Sequence, residues 1–259
     1  MRHGDGKAVV SFRYGTATTL TADTTTPLFG HPVTLTATVT PANPAAAPTG
    51  SVTFFDGTRP LATVPLTDGR ASFGTGALRP GPHALTASYG GDAADVASTT
   101  EAPADVTVGF SGPCVTANRS GPLTVGADQA VCLSAGARQS GPVTARPGGA
   151  LAVLDAEITG PVSVDGARAL TVCRSRLTGP LAVRDSTGQV LLGSDDDGGA
   201  DASACGGNRI TGPVSLDANA GGVAFQGNQV TGPLRCEGNA PAPRLTDNTV
   251  TGPRSGQCR

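Results

Sequence analysis

Glu157-Ile158-Thr159-Gly160-Pro161-Val162-Ser163-Val164-Asp165 is followed by Arg176-Leu177-Thr178-Gly179-Pro180-Leu181-Ala182-Val183-Arg184, and further on by Arg209-Ile210-Thr211-Gly212-Pro213-Val214-Ser215-Leu216-Asp217. Each stretch sets one apolar residue before Thr-Gly-Pro and an apolar-x-apolar run after it. The tripeptide, led by Ser or Thr, begins at Ser111, Ser120, Ser140, Thr159, Thr178, Thr211, Thr231 and Thr251. From Ser120 onward the spacings are 20, 19, 19, 33, 20 and 20, the outlier being one period plus about 14 inserted residues. A fixed period near 20 residues marks a repeat architecture and overrides a globular reading of this half of the chain.

Within a period a second apolar run follows a Gly-rich turn, as in Leu170-Thr171-Val172, Val190-Leu191-Leu192 and Val223-Ala224-Phe225. Two or three short strands with turns fill one coil of a right-handed parallel β-helix. So short a coil cannot bury its own apolar residues; the next coil completes the core, at about 4.8 Å per rung. Proline cannot donate to the ladder, so Gly-Pro belongs at a corner. Seven coils predict a rod of roughly 30–35 Å. Asn208, Asn228 and Asn248 each precede their repeat threonine by three residues, and stacked Asn side chains can hydrogen-bond along such a rod. Glu157 and Arg176 hold equivalent places on neighbouring coils and are expected to pair, at well under ~1 kcal/mol.

The six cysteines, Cys114, Cys132, Cys173, Cys205, Cys236 and Cys258, all lie in this half. None forms a C-x-x-C pair and no histidine follows His83, so a zinc site is not expected. The repeat register predicts disulfides between consecutive cysteines. Cys173 and Cys205 fall five and six residues before successive threonines, counting from Thr178 and Thr211 respectively, and bracket the insertion. Cys114–Cys132 would close the start. Cys236–Cys258 would pin the last coil, whose sheet edge is otherwise open to self-association.

Residues 16–109 follow a different rule. Val33-Thr34-Leu35-Thr36-Ala37-Thr38-Val39, Ser51-Val52-Thr53-Phe54-Phe55 and His83-Ala84-Leu85-Thr86-Ala87-Ser88-Tyr89 alternate apolar and polar residues. Asp56-Gly57, Asp68-Gly69, Pro80-Gly81-Pro82 and Gly90-Gly91-Asp92 separate the runs. About seven short strands at roughly ten-residue spacing predict an immunoglobulin-like sandwich. The runs Gly30-His31-Pro32-Val33-Thr34-Leu35-Thr36-Ala37, Pro48-Thr49-Gly50-Ser51-Val52-Thr53-Phe54-Phe55-Asp56-Gly57 and Leu85-Thr86-Ala87-Ser88-Tyr89-Gly90-Gly91-Asp92 resemble a bacterial Ig-like repeat of secreted and surface proteins. That resemblance implies a spacer or adhesive module outside the cell, without catalysis. The tail, Leu234-Arg235-Cys236-Glu237-Gly238-Asn239 through Cys258, resembles the C-terminal part of secreted actinobacterial repeat proteins, although those commonly carry Gly-Gly-Asn where this chain has Thr-Gly-Pro. It implies secretion and a β-helix-like fold.

Composition agrees with an all-β chain. Its 259 residues hold 37 Gly and 21 Pro, no Trp and one Met, with Lys7 the only lysine. Gly, Pro, Thr, Val and Asp in place of Leu, Glu, Lys and Met favour strands and turns over long helices. A net charge of −2 with scattered basic residues argues against nucleic acid as a partner, and no apolar run is long enough for a membrane helix. Residues 1–15 read as the closing strand of a preceding module or a tail, 16–109 as the Ig-like domain and 110–259 as the β-helix. The N-terminal stretch lacks an apolar signal-peptide core while the even cysteine count fits an oxidising compartment. Together these predict an extracellular or cell-surface fragment, or a misplaced start.

Candidate chemistry is sparse. Asp165, Asp217 and Glu237 lie six residues after their threonines and Asp185 seven, so stacking predicts an acidic column. Paired carboxylates serve glycosidases, and the column has no evident cationic partner. Asp is also a natural turn residue after a strand. The insertion carries Asp195, Asp197 and Asp201, oxygen ligands of the type calcium takes, though not at EF-hand spacing. His3, His31 and His83 have no Ser or Cys partner at a recognisable elbow, so no triad is expected. The reading is a monomeric, non-catalytic structural and interaction protein that needs no cofactor, calcium being the one candidate. An extracellular polymer or surface protein is its expected partner. A carbohydrate-binding or carbohydrate-active module using the acidic column is the alternative.

Overall fold

The computed structural model describes residues 12–43, 47–194 and 205–259. The chain divides into two compact units. Among the described residues every regular element is a β-strand, and no helix is long and apolar enough to cross a membrane.

The first unit is the sandwich that period-2 alternation predicts. Strands β1 (Thr16–Ala22), β2 (Val33–Pro41) and β5 (Arg70–Thr75) form one sheet. In the other, β4 (Arg59–Pro65) pairs β3 (Ser51–Asp56), which pairs β6 (Gly81–Tyr89); β7 (Ser98–Thr99) and β8 (Ala104–Val108) both pair β6. Pairing is antiparallel, so one face of each strand turns inward. Val33, Leu35, Ala37 and Val39 of β2, Val52 and Phe54 of β3, and Leu85, Ala87 and Tyr89 of β6 are buried, with Thr and Ser between them. Residues 92–95 form a turn closed by one carboxylate. Asp92 accepts hydrogen bonds from the Thr49 amide and hydroxyl at 2.8 and 2.6 Å, and from the amides of Ala94 and Asp95 at 2.8 Å. Those donors, the Thr49 hydroxyl first, hold its carboxyl well below the usual carboxylate range. Tyr14 joins the same unit through backbone bonds with Ala94 and Val96.

The second unit is a parallel β-solenoid with three strands per coil. In one coil these are Glu157–Thr159, Val162–Asp165 and Ala169–Cys173, and each is hydrogen-bonded to its equivalents above and below. The first and second sheets hold seven strands and the third holds six. The expected seven coils are therefore six complete coils and a partial seventh, in which Thr249–Val250 and Arg254–Gly256 lack a third strand before the chain turns into Cys258.

The Thr-Gly-Pro corner explains the repeat. The Gly160 amide donates to the Thr178 carbonyl at 2.8 Å, and the Val162 amide to the Pro180 carbonyl at 2.9 Å; the neighbouring coils repeat both bonds. The ladder thus runs through the corner and skips only the proline nitrogen, which has no hydrogen to give. Gly160, Gly179, Gly212 and Gly232 have φ between 132° and 144°. A Cβ on Gly179 would lie 2.5 Å from the Gly160 carbonyl oxygen, so only glycine fits there. Inward residues such as Leu151, Ile158, Leu170, Leu177, Val183, Leu192, Ile210, Leu216 and Phe225 stack into one continuous core. The third sheet is buried on its outer side as well, where Cys173, Leu191, Cys205 and Ala224 form a second apolar cluster with Leu154.

All three disulfides follow the register. Cys114–Cys132, Cys173–Cys205 and Cys236–Cys258 have Cα separations of 4.8, 5.0 and 5.2 Å, within bridging distance.

Candidate functional site

The second sheet decides what the acidic column is. Ladder register sets Asp165 opposite Arg184, Arg184 opposite Asp217, and Asp217 opposite Glu237. Asp185 is outside the column: it lies one residue on, in the turn, with φ 52°. The expected run of four acids is three, interrupted by an arginine. Nor do Asp217 and Glu237 lack a cation. Arg235 reaches Asp217 at 2.8 Å and Glu237 at 2.9 Å. Bonding first to Asp217 and then to Glu237 holds that guanidinium still more firmly protonated. Two acids bridged by one arginine on an exposed sheet face make an ion-pair network, and neither carboxylate stands as an open acid–base pair.

Asp195, Asp197 and Asp201 lie outside the described residues, as does His3. Among the described residues no three His, Cys, Asp or Glu side chains gather closely enough to hold a metal ion. His83 Nδ1 lies 2.7 Å from Asp56 Oδ2 across the sandwich sheet.

Asn208, Asn228 and Asn248 do form a ladder, and it is buried at one corner. The Asn208 amide and Nδ2 both donate to Asn228 Oδ1 at 3.0 Å, while Asn208 Nδ2 also donates to the Val172 carbonyl at 2.7 Å. The Asn228 amide and Nδ2 donate to Asn248 Oδ1 at 2.9 and 3.1 Å. Ser175 heads the column, donating its amide to Asn208 Oδ1. A second ladder runs at another corner: Asn219 bonds to Asn239, Asn239 to Gln257, and Ser186 heads it. Asn219 and Asn239 are 20 residues apart, so the signal was present in the spacing, but Gln257 comes 18 residues later. Both ladders satisfy turn backbone in a buried place, which is structural work.

The outer face of the first sheet carries a mixed column. Arg138, Glu157, Arg176 and Arg209 occupy successive rungs. The Glu157 carboxylate does not pair with Arg176, as its register alone suggested. It turns to Arg138 on the other side, at 3.7 Å. Beside this column Arg174, with φ 47°, directs Nε and Nη2 to the two carboxylate oxygens of Asp155 at 2.8 and 2.7 Å. That bidentate contact lowers the Asp155 carboxyl below its ordinary range. These side chains, with Gly136 and Gly207, line an open recess of about 470 Å3.

In comparison with known families, residues 9–109 match the bacterial Ig-like domain (group 3). No curated protein and no solved structure matches the chain. The protein therefore carries a bacterial Ig-like domain followed, from about residue 119, by a disulfide-linked β-solenoid, an arrangement that suits a surface or structural protein.

Proposed function

We propose that this is a secreted or cell-surface, non-catalytic interaction protein. Its Ig-like domain acts as a spacer and its solenoid presents flat polar faces to an extracellular polymer or surface protein. The observation that carries the reading is how the solenoid uses its polar side chains. Its buried amides are spent on the Asn ladders, and Asp217, Glu237 and Asp155 are each held by an arginine. Three disulfides support an oxidising compartment. The second sheet supports a platform. Its outward positions Thr124, Thr144, Ser163, Ala182, Ser215, Arg235 and Ser255 align rung by rung, mostly as short side chains.

A glycan array probed with the oxidised chain, with and without calcium, tests this reading, together with analysis of the bound sugars by mass spectrometry. Retention of a polymer at unchanged length, the same in both buffers, is the expected result. Shortened products would overturn the non-catalytic assignment. Binding that needs calcium would move the site to the insertion around Asp195, Asp197 and Asp201.

A further inference from the structure

The recess on the first sheet holds an excess of positive charge in a protein whose net charge is −2. Four arginines line it, Arg138, Arg174, Arg176 and Arg209, against two acids, Asp155 and Glu157. Both acids are taken: Asp155 grips Arg174, and Glu157 turns to Arg138. Arg176 and Arg209 remain, exposed and in direct register on adjacent rungs, with no ion pair among the described residues. Like charges facing each other on neighbouring strands are mutually destabilising. The column alternates cation and anion from Arg138 through Glu157 to Arg176, then breaks at Arg209. An external carboxylate set between Arg176 and Arg209 restores the alternation.

We propose that this recess binds the carboxylates of an acidic polysaccharide, a uronic-acid polymer, with Arg176 and Arg209 as the two guanidinium contacts. The assignment rests on the interaction role proposed above and names its ligand. Three observations select the chemistry. Asp155 already shows a carboxylate docking two-pronged on an arginine of the recess, the planar match that guanidinium makes best. Gly207, where a Cβ would run into the Gly227 carbonyl, brings no side chain to the recess beside Arg209. Exposed Thr178 and Thr211 stand two residues from the two arginines on the same sheet face and present hydroxyls suited to sugar hydroxyls. A peptide ligand would bring apolar side chains, for which the recess offers no aromatic or aliphatic pocket.

The test is isothermal titration of the oxidised full chain with polygalacturonate, its fully methyl-esterified form, dextran sulfate and poly-glutamate. Polygalacturonate is expected to bind and its methyl ester not to. Arg176→Ala/Arg209→Ala is expected to weaken binding at least tenfold with an unchanged thermal midpoint, and Arg184→Ala, on the second sheet, to leave it unchanged. If the double variant unfolds, Arg176→Gln and Arg209→Gln singly give the same comparison. No binding of polygalacturonate, equal binding by the double variant, or tighter binding of dextran sulfate or poly-glutamate would overturn the assignment. Binding of a neutral glycan alone on the array would overturn it while leaving the interaction role intact. A chain that retains nothing on the array fails both.

Discussion

The sandwich and the solenoid are both built from short strands of Thr, Val, Leu and Ala, yet they reach order by different routes. In the sandwich, alternation along one antiparallel strand suffices, because a facing sheet supplies the other half of the core. Its large buried residues, Leu35, Phe54, Leu85 and Tyr89, do that packing. In the solenoid no coil is a unit on its own. Each inward residue is covered by the same position one period away, so register carries the stability. Buried polar residues mark the difference. The solenoid buries Asn208, Asn219, Asn228 and Asn239 at 4% exposure or less, each paired to its counterpart on an adjacent coil. A residue there answers to a position about 20 residues away, and in the sandwich to its neighbours on a facing strand.

That contrast breaks first at the corners. Gly179→Ala puts a Cβ against the Gly160 carbonyl, at a φ of 132° that side chains rarely adopt. We expect a loss of at least about 4 kcal/mol, the exceptional end of single substitutions, read as loss of the solenoid transition in chemical denaturation. Gly57→Ala, in an open sandwich turn with nothing near the added atom, should cost about 1–2 kcal/mol. Cys173→Ser comes next, at about 2–5 kcal/mol for a lost native disulfide. Asn228→Ala follows: it strands the Asn208 amide in a buried corner, at roughly 1–3 kcal/mol, and leaves Asn208 Nδ2 with its bond to the Val172 carbonyl alone. Ser215→Ala, on the outer face of the same solenoid, should stay within about 0.5 kcal/mol.

The two units also differ in their pH response, chiefly at the alkaline end, since each holds a depressed carboxyl, Asp92 in the sandwich and Asp155 in the solenoid. Asp92 has its carboxyl depressed in the folded sandwich, so its contribution is full above about pH 4 and falls away as acid approaches the lower folded value. Tyr89, buried and close to the Asp92 carboxylate, has its phenol pushed up to about 12. Its contribution is full below about pH 10 and is lost as pH rises toward 12. The Asn ladders carry no titratable group. Thermal melts across pH should show the sandwich transition falling at both ends, and Asp92→Asn should flatten the acid limb. A comparably small effect belongs to Glu157→Gln, whose pair with Arg138 is half-exposed and 3.7 Å long. It should cost well under ~1 kcal/mol.

Much of the fold was legible because both halves carry strict periods. The Cys173–Cys205 disulfide and the Asn208 column are legible as offsets to the repeat threonine, and Cys114–Cys132 and Cys236–Cys258 as consecutive pairs that close the two ends. The acidic column differs from its expected composition for a physical reason. Asp165, Asp217 and Glu237 share an offset of six, and the residue at six after Thr178 is Arg184. Asp185, at seven, falls outside the column, because a one-residue slip takes a side chain off the face its neighbours share. The Glu157 partner was not legible, because a rung has neighbours on both sides and the pattern does not say which one a flexible carboxylate takes. Arg176 and Arg209 both stand two residues before their repeat threonines, so their register is legible across the insertion; what the pattern does not say is that neither arginine takes Glu157 as its partner.

The central claim is that every coil is stacked in the threonine register. Non-reducing peptide mapping of the purified oxidised protein by mass spectrometry tests it most directly. The account predicts Cys114–Cys132, Cys173–Cys205 and Cys236–Cys258 as the only linked pairs, with no free thiol. A peptide joining Cys132 to Cys173, or Cys205 to Cys236, would contradict it.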